Sequence, residues 1–377
     1  MTEKFQQWAD NRHDYAREWK KKNGGKVVGY FCTYMPEEIL YAADLLPVRI
    51  FGSHEPDISI VEPHIFGMYC PVCRGCLAEG LKGRYEYLNG IVLAQSCMHM
   101  RQAFWSWEMH IPIEYSHYMW MPHGIQVKGR YEYFRSELVL FKESLEKWIG
   151  KKISDDDLDR GIDICNTNCR LLRQIYEFRK QDNPPVTGEE AMEAVLSSQT
   201  CDKKEHNKVL KGFLKKLPNR KLDRDQGTRL MIIGSEDDDR EFTKMIEQGL
   251  SLPATLVIEE HCVGTRYFWN DVVPEKDRLM AIGRRYLDRI PCPSKDWPER
   301  LRFPHILNLI KEYKVEGVIL MQQKFCDPHE TDIPPLTKLL KENGIPTYFV
   351  ELDTTVALGQ FRTRLEAFLE TLTMELL

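Results

Sequence analysis

The chain alternates between short, unbroken apolar runs and longer amphipathic stretches with a helical period. Four of the short runs close on a cysteine: Lys26–Glu38 (KVVGYFCTYMPEE, with Cys32), Ile91–Cys97 (IVLAQSC), Ala254–Cys262 (ATLVIEEHC) and Gly317–Cys326 (GVILMQQKFC). Apolar runs of this length, rich in β-branched residues, predict strands buried on both faces, as in parallel sheets. Ligands gather outside the carboxyl ends of such strands, so cysteines placed there are expected to converge on one crevice.

Residues 3–23 are predicted as one amphipathic helix, basic toward its end and stopped by Asn23-Gly24-Gly25. Pro36-Glu37-Glu38 opens the next helix, with Ile39, Leu40, Ala43 and Leu46 as its apolar face and Pro47 as its end. Short strands are predicted over 48–52, 91–97 and 113–120. From 128 to 225 the pattern is long, charged and helical, with a turn at Asn183-Pro184-Pro185 and a polar linker out of it. Strands return at 230–234, 254–261, 316–322 and 346–351, with helices over 303–314 and 336–343 between them. Ser235 and its following acids read as a helix N-cap. The order predicts an α/β protein with two Rossmann-like (flavodoxin-like) parallel-sheet lobes, 1–127 and 226–377, and a helical segment, 128–225, between them. Cysteines at strand ends in both halves point to a duplicated architecture without a repeated sequence.

Composition narrows the function. At 377 residues and 42% hydrophobic content the chain is long enough for two or three cores. No apolar run is long enough to span a bilayer, and the charged start lacks a signal-peptide core, so a cytoplasmic protein off the membrane is expected. In that compartment 11 cysteines are better explained by metal ligation or catalysis than by disulfides. A net charge of -5 carries no basic footprint for nucleic acid. Neither a G-x-x-x-x-G-K-[ST] nor a strand-borne G-x-G-x-x-G motif is present, so any need for ATP must be met by another chain.

Thiolates contributed by several strand ends suit an iron–sulfur cluster, whereas the plainer reading of each cysteine is a small buried hydrophobe. Cys70, Cys73 and Cys76 (CPVCRGC) form a C-x2-C-x2-C run that fits cluster binding better than zinc, because paired C-x2-C units and spaced histidines are lacking. Cys165 and Cys169 share one helix face and read as packing; Cys201 carries no signal and Cys292 is isolated. Glu260, His261, Arg266 and His329 fall beside strand ends, where each serves either as a partner of the site or in a salt bridge. The aromatic stretch 104–134 reads as core or subunit interface, with an acyl pocket as the alternative.

The stretches YFCTYMPEEILYAADLLPVRIFG, QSCMHM, EEHCVGTRYF, VEGVILMQQKFCDPHE and GIPTYFVELD resemble the 2-hydroxyacyl-CoA dehydratase and benzoyl-CoA reductase superfamily over nearly the whole chain. Length and helical middle are most similar to the smaller of the two cluster-bearing components, the gamma or C component, of the ATP-dependent benzoyl-CoA reductases. The resemblance implies Cys32, Cys97 and Cys326 as ligands of a [4Fe-4S] cluster. It adds Cys70, Cys262 and Cys292 if the cofactor is a double-cubane [8Fe-9S] cluster. It implies a homologous cluster-bearing partner subunit, a separate ATPase that activates electrons from a donor such as ferredoxin, and an aromatic acyl-CoA substrate that is dearomatised. His261 is the residue expected to donate a proton. A 2-hydroxyacyl-CoA dehydratase subunit, or a double-cubane electron-transfer or reductase subunit, are the alternatives.

Overall fold

The computed structural model describes residues 2–353 and 358–375; Met1, residues 354–357 and residues 376–377 lie outside the described residues. β1 (Val27–Tyr30), β2 (Leu46–Arg49), β3 (Gly90–Ala94) and β4 (Tyr115–Met119) form one sheet in the order β2-β1-β3-β4. β5 (Thr228–Gly234), β6 (Ala254–Glu260), β7 (Gly317–Gln323) and β8 (Thr347–Leu352) form a second in the order β6-β5-β7-β8. Every pairing is parallel. The two sheets share one topology, each leading strand flanked by the second strand on one side and the third on the other.

Alternation within the strands explains why both faces are covered. Val27, Ile91 and Leu93 enter one core of the first lobe, while Val28, Val92 and Ala94 enter the core on the other face. In the second lobe Leu230, Ile232 and Met321 pack with Leu365 and Leu369 of the terminal helix Leu358–Glu375, and Met231, Ile233 and Leu320 face the helical segment. That segment consists of the helices Arg130–Ile149, Asp155–Phe178, Gly188–Ser198 and Lys203–Leu214. Ser154 and Thr187 open two of them with reciprocal capping boxes. Among the described residues no helix is long and apolar enough to cross a membrane.

Three local expectations are corrected. The leading helix is two helices, Thr2–Asp10 and Arg12–Asn23, and the first turns Phe5 and Trp8 into a core with Leu172 and Phe213. The helix after Cys32 stops at Ala42, where Asp44 takes a φ of 56°, and Pro47 lies inside β2 rather than ending a helix. A proline is tolerated there because β2 is an edge strand and the missing N–H takes no part in the ladder. Ser235 does not cap a helix: the next helix is Arg240–Gln248, capped by Asp239, whose side chain accepts the Phe242 N–H at 3.0 Å. Ser235 instead accepts the Cys262 N–H on its backbone oxygen (3.1 Å), holding the end of β5 against the loop after β6.

One buried carboxylate ties the parts together. Glu37 accepts hydrogen bonds from Tyr30 of the first lobe (3.1 Å), Tyr267 of the second (2.6 Å) and Lys203 of the helical segment (2.6 Å). The Lys203 ammonium also lies 5.7 and 5.5 Å from the ring centroids of Tyr41 and Tyr267. The excursion from 265 to 301 is equally consequential, because its helix Arg278–Asp288 packs Leu279, Ile282 and Tyr286 onto the first lobe's sheet beside Phe134 and Leu138. It thereby returns Cys292 to the crevice.

Candidate metal centre

Cys32 lies two residues beyond β1 and Cys262 two residues beyond β6. Cys97 and Cys326 follow β3 and β7 and stand at the N-cap positions of the helices Met98–His110 and Asp327–Glu342. Cys70 holds the same position before the helix Pro71–Leu81, and Cys292 precedes the short 3-10 turn Pro293–Lys295. Helix starts favour thiolate over thiol, since the free backbone N–H groups there favour negative charge.

The structure brings these six cysteines near one another, with Cys73 beside Cys70. Cys32, Cys97, Cys262, Cys292 and Cys326 are all partly open, whereas Cys76, Cys165, Cys169 and Cys201 are sealed in cores. The Cys262 and Cys292 thiols hydrogen-bond one another, with Cys32 a near electrostatic neighbour. Cys326 is raised chiefly by burial and then by Cys70 and Cys97. Cys97 also feels Cys32 and Cys292, and Cys326 feels Cys292, so the six form one connected set.

Electrostatics shows what such a set needs. Burial, and then the neighbouring thiols, push Cys97 and Cys326 up. The hydrogen bond with Cys292, together with burial, raises Cys262 as well. Two thiols go the other way: Cys70 falls to about 5 through Cys73 and His99, and Cys292 falls through Cys262 and His329. Each thiolate thus opposes the next, and all six could ionise together only against a compensating positive charge.

The surrounding charges fit an anionic thiolate cluster. Lys295 is fully buried, and its ammonium meets only the Pro122 carbonyl (2.9 Å) and the ring of Tyr34, with no carboxylate in reach among the described residues. Burial lowers it to about 8, and the groups that oppose this are Cys292, Cys32 and Cys97. Arg289, also buried, bonds the Thr33 carbonyl (2.8 Å) and the Arg266 carbonyl, again without an acid among the described residues. Arg49 reaches the Cys262 carbonyl at 3.2 Å and Gln199 at 2.7 Å, and Glu236 at 3.7 Å. Tyr34 accepts the Cys292 N–H at 2.8 Å. Buried cations without acids are costly unless an anion faces them, and here the thiols do.

The polar residues expected beside the strand ends separate by role. Glu260 is a structural carboxylate, held by Arg266 (2.9 Å) and Arg302 (2.6 Å), the latter also paired with Asp332. Arg266 also faces Cys262 and Cys292, as His329 faces Cys292. His261 is 1% exposed, neither ring nitrogen has a hydrogen-bond partner, and burial with Arg266 beside it holds the ring down to about 3. Its cavity is shared with Asp237, Glu259 and Gly264. The aromatic stretch divides in two. Phe104 and Trp107 pack edge-on against Phe31 in the core, while Trp120 and Met109 are exposed and Trp105 stacks on Tyr118 at 5.3 Å.

Lys295, Arg49, Arg289 and Tyr34 were not singled out from sequence. The available signal was proximity: Lys295 lies three residues after Cys292 and Tyr34 two after Cys32.

A family profile described as "2-hydroxyglutaryl-CoA dehydratase, D-component" matches residues 32–372. The chain is 24% identical to the (R)-phenyllactyl-CoA dehydratase beta subunit of Clostridium sporogenes, over 98% of this chain and 97% of that one. It is 26% identical to the C component of benzoyl-CoA reductase from Thauera aromatica, over 88% and 86%. A putative dehydratase subunit of Escherichia coli is 22% identical over 93% of each chain.

Proposed function

Because the chain belongs to the 2-hydroxyglutaryl-CoA dehydratase D-component family, we propose that it is the iron–sulfur subunit of an ATP-dependent acyl-CoA reductase of the benzoyl-CoA reductase type. What supports this reading is the proximity of Cys32, Cys70, Cys97, Cys262, Cys292 and Cys326 to one another, with Lys295, Arg289 and Arg266 as their cationic neighbours. These six would hold the cluster, which when bound supplies low-potential electrons one at a time. The chain's own residues then have defined work. Arg266, Arg289 and Lys295 offset thiolate charge, and the Glu260–Arg302–Asp332 network fixes Arg266 in place. The apolar clusters against which Cys32, Cys97, Cys292 and Cys326 pack would keep water from the site. His261, next to Cys262 in the chain and with neither nitrogen engaged, is proposed as the proton donor; because burial keeps its ring neutral, it would give a proton from the neutral ring N–H or one taken up during turnover, and His261→Gln should slow turnover about 10²-fold with iron content unchanged.

Lacking a phosphate loop, the chain depends on a separate ATPase for electron activation, with ferredoxin as donor and a homologous cluster-bearing partner to complete the enzyme. Benzoyl-CoA-like thioesters are the substrate class put first, on the likeness to the Thauera aromatica reductase component. The test is the anaerobically purified complex given ATP and a reductant. Consumption of benzoyl-CoA supports the reading, and dehydration of a 2-hydroxyacyl-CoA in its place transfers the chain to the dehydratases. The convergence of six thiols rather than three favours one second reading, a double-cubane reductase or electron-transfer protein. Full iron content with neither thioester consumed would select it.

A further inference from the structure

The C-x2-C-x2-C run offers more thiols than one ligand position needs, and the fold separates them. Cys70 is the N-cap residue of the helix Pro71–Leu81 and Cys73 stands three residues on. Those are the N-cap and N3 positions, which lie over the same first turn of the helix. Cys76, a turn further along, bonds the Ile50 carbonyl (3.3 Å) and faces the core. The donor atoms of Cys70, Cys73 and His99 all lie within 4.8 Å of one another.

His99 is already engaged at both nitrogens. Nδ1 accepts the Cys70 N–H at 3.2 Å, and Nε2 lies 3.3 Å from Asp327, the residue after Cys326. It is therefore a positioning residue that ties the Cys70 turn to the start of the Cys326 helix. Cys73 is held by a weak S–H bond to the Cys70 carbonyl at 3.1 Å and interacts with the Cys70 thiol itself. It is fully buried, yet no other part of the described fold uses its sulfur.

We propose that Cys70 and Cys73 are exchangeable thiol ligands, either of which can occupy the same metal position in this crevice. The inference rests on the metal-centre reading above. In the exchange, the Cys73 sulfur loses its proton as its bond to the metal forms. The Cys70–metal bond breaks and the Cys70 sulfur takes up a proton. Nothing is oxidised or reduced, and the number of thiolates on the metal stays constant.

The test compares anaerobic iron and sulfide content in Cys70→Ala, Cys73→Ala, the double variant and Cys292→Ala, with circular dichroism confirming that each folds. Both single variants should keep iron near the wild-type level, and the double variant should fall to that of Cys292→Ala. Cys70→Ala alone falling as far as the double variant overturns the exchange, as does a double variant that keeps its iron. Cys70→Ser gives a second readout that is gentler on the fold. Its EPR spectrum should match wild type because Cys73 takes over, whereas a spectrum altered by an oxygen ligand contradicts the proposal. If Cys292→Ala keeps full iron, the six-cysteine reading fails, while the comparison of single and double variants still decides the exchange.

Discussion

The two lobes share a sheet order but load it differently. In the first, Cys32 and Cys97 follow β1 and β3, the neighbouring strands on either side of the point where the strand order reverses. That is where open α/β sheets place their ligands. In the second, the equivalent positions hold Ser235 after β5 and Cys326 after β7, and Cys262 follows the outer strand β6. Each lobe still offers three thiols to the crevice, the third coming from a loop: Cys70 in one, Cys292 in the other. The lesson is that topology sets where ligands can converge, while the loops decide which strand ends supply them.

The largest effect should come from removing a loop cysteine of the second lobe. Cys292→Ser is expected to lose most of the iron and the activity with it, even though no strand end delivers that residue. Iron content of the purified variant checks this, and full occupancy would remove Cys292 from the ligands.

Breaking the tie between the lobes comes next. Lys203→Met strands the Glu37 carboxylate in a site where Lys203 and Glu37 are 2% and 5% exposed. Loss of one partner of such a pair costs about 3–5 kcal/mol. Chemical denaturation of the apoprotein measures it, and a loss below about 1 kcal/mol would mean that the pair does not hold the lobes in register.

Lys295→Met should act with opposite signs on the two forms of the protein. In the apoprotein it removes a desolvated cation and should raise the melting temperature. In the loaded protein it removes a positive charge beside thiolates and should shift the reduction potential to more negative values. Spectroelectrochemistry and thermal melts report the two, and an unchanged potential would separate Lys295 from the metal centre.

The smallest effect lies away from the crevice. His206 is buried between Ser197 and Asn168 against Phe5 and Trp8, and burial followed by Lys203 depresses it to about 3. Its unfolded value is near 6.5. Only the unfolded chain binds this proton between those two values, so stability should fall as pH drops below about 6.5, by at most about 1.4 kcal/mol per pH unit. His206→Gln should flatten that slope, and a slope that persists unchanged would assign it to other groups.

The two-lobed α/β fold was legible because unbroken apolar runs such as Ile91–Ala94 and Val318–Met321 mark strands buried on both faces. Local ends were less so. Pro47 reads as a helix stop unless β2 is known to be an edge strand, and Ser235 reads as a cap unless its contact with Cys262 is seen. The strand-end cysteines follow from the periodicity of the chain. The convergence of Cys292 does not, because it depends on the helix Arg278–Asp288 crossing to the first lobe. Lys295 and Arg289 were missed for the same reason: their meaning lies in the absence of acids among the described residues around them, which only the folded chain displays.

Iron and acid-labile sulfide per chain, measured on protein purified without oxygen, test most directly whether both lobes contribute three thiolates to one centre. Two linked cubanes require about eight iron atoms per chain, and that is the expected value. About four, with Cys262→Ser and Cys292→Ser variants as iron-rich as wild type, would contradict it and leave Cys32, Cys97 and Cys326 as the ligands of a single cubane.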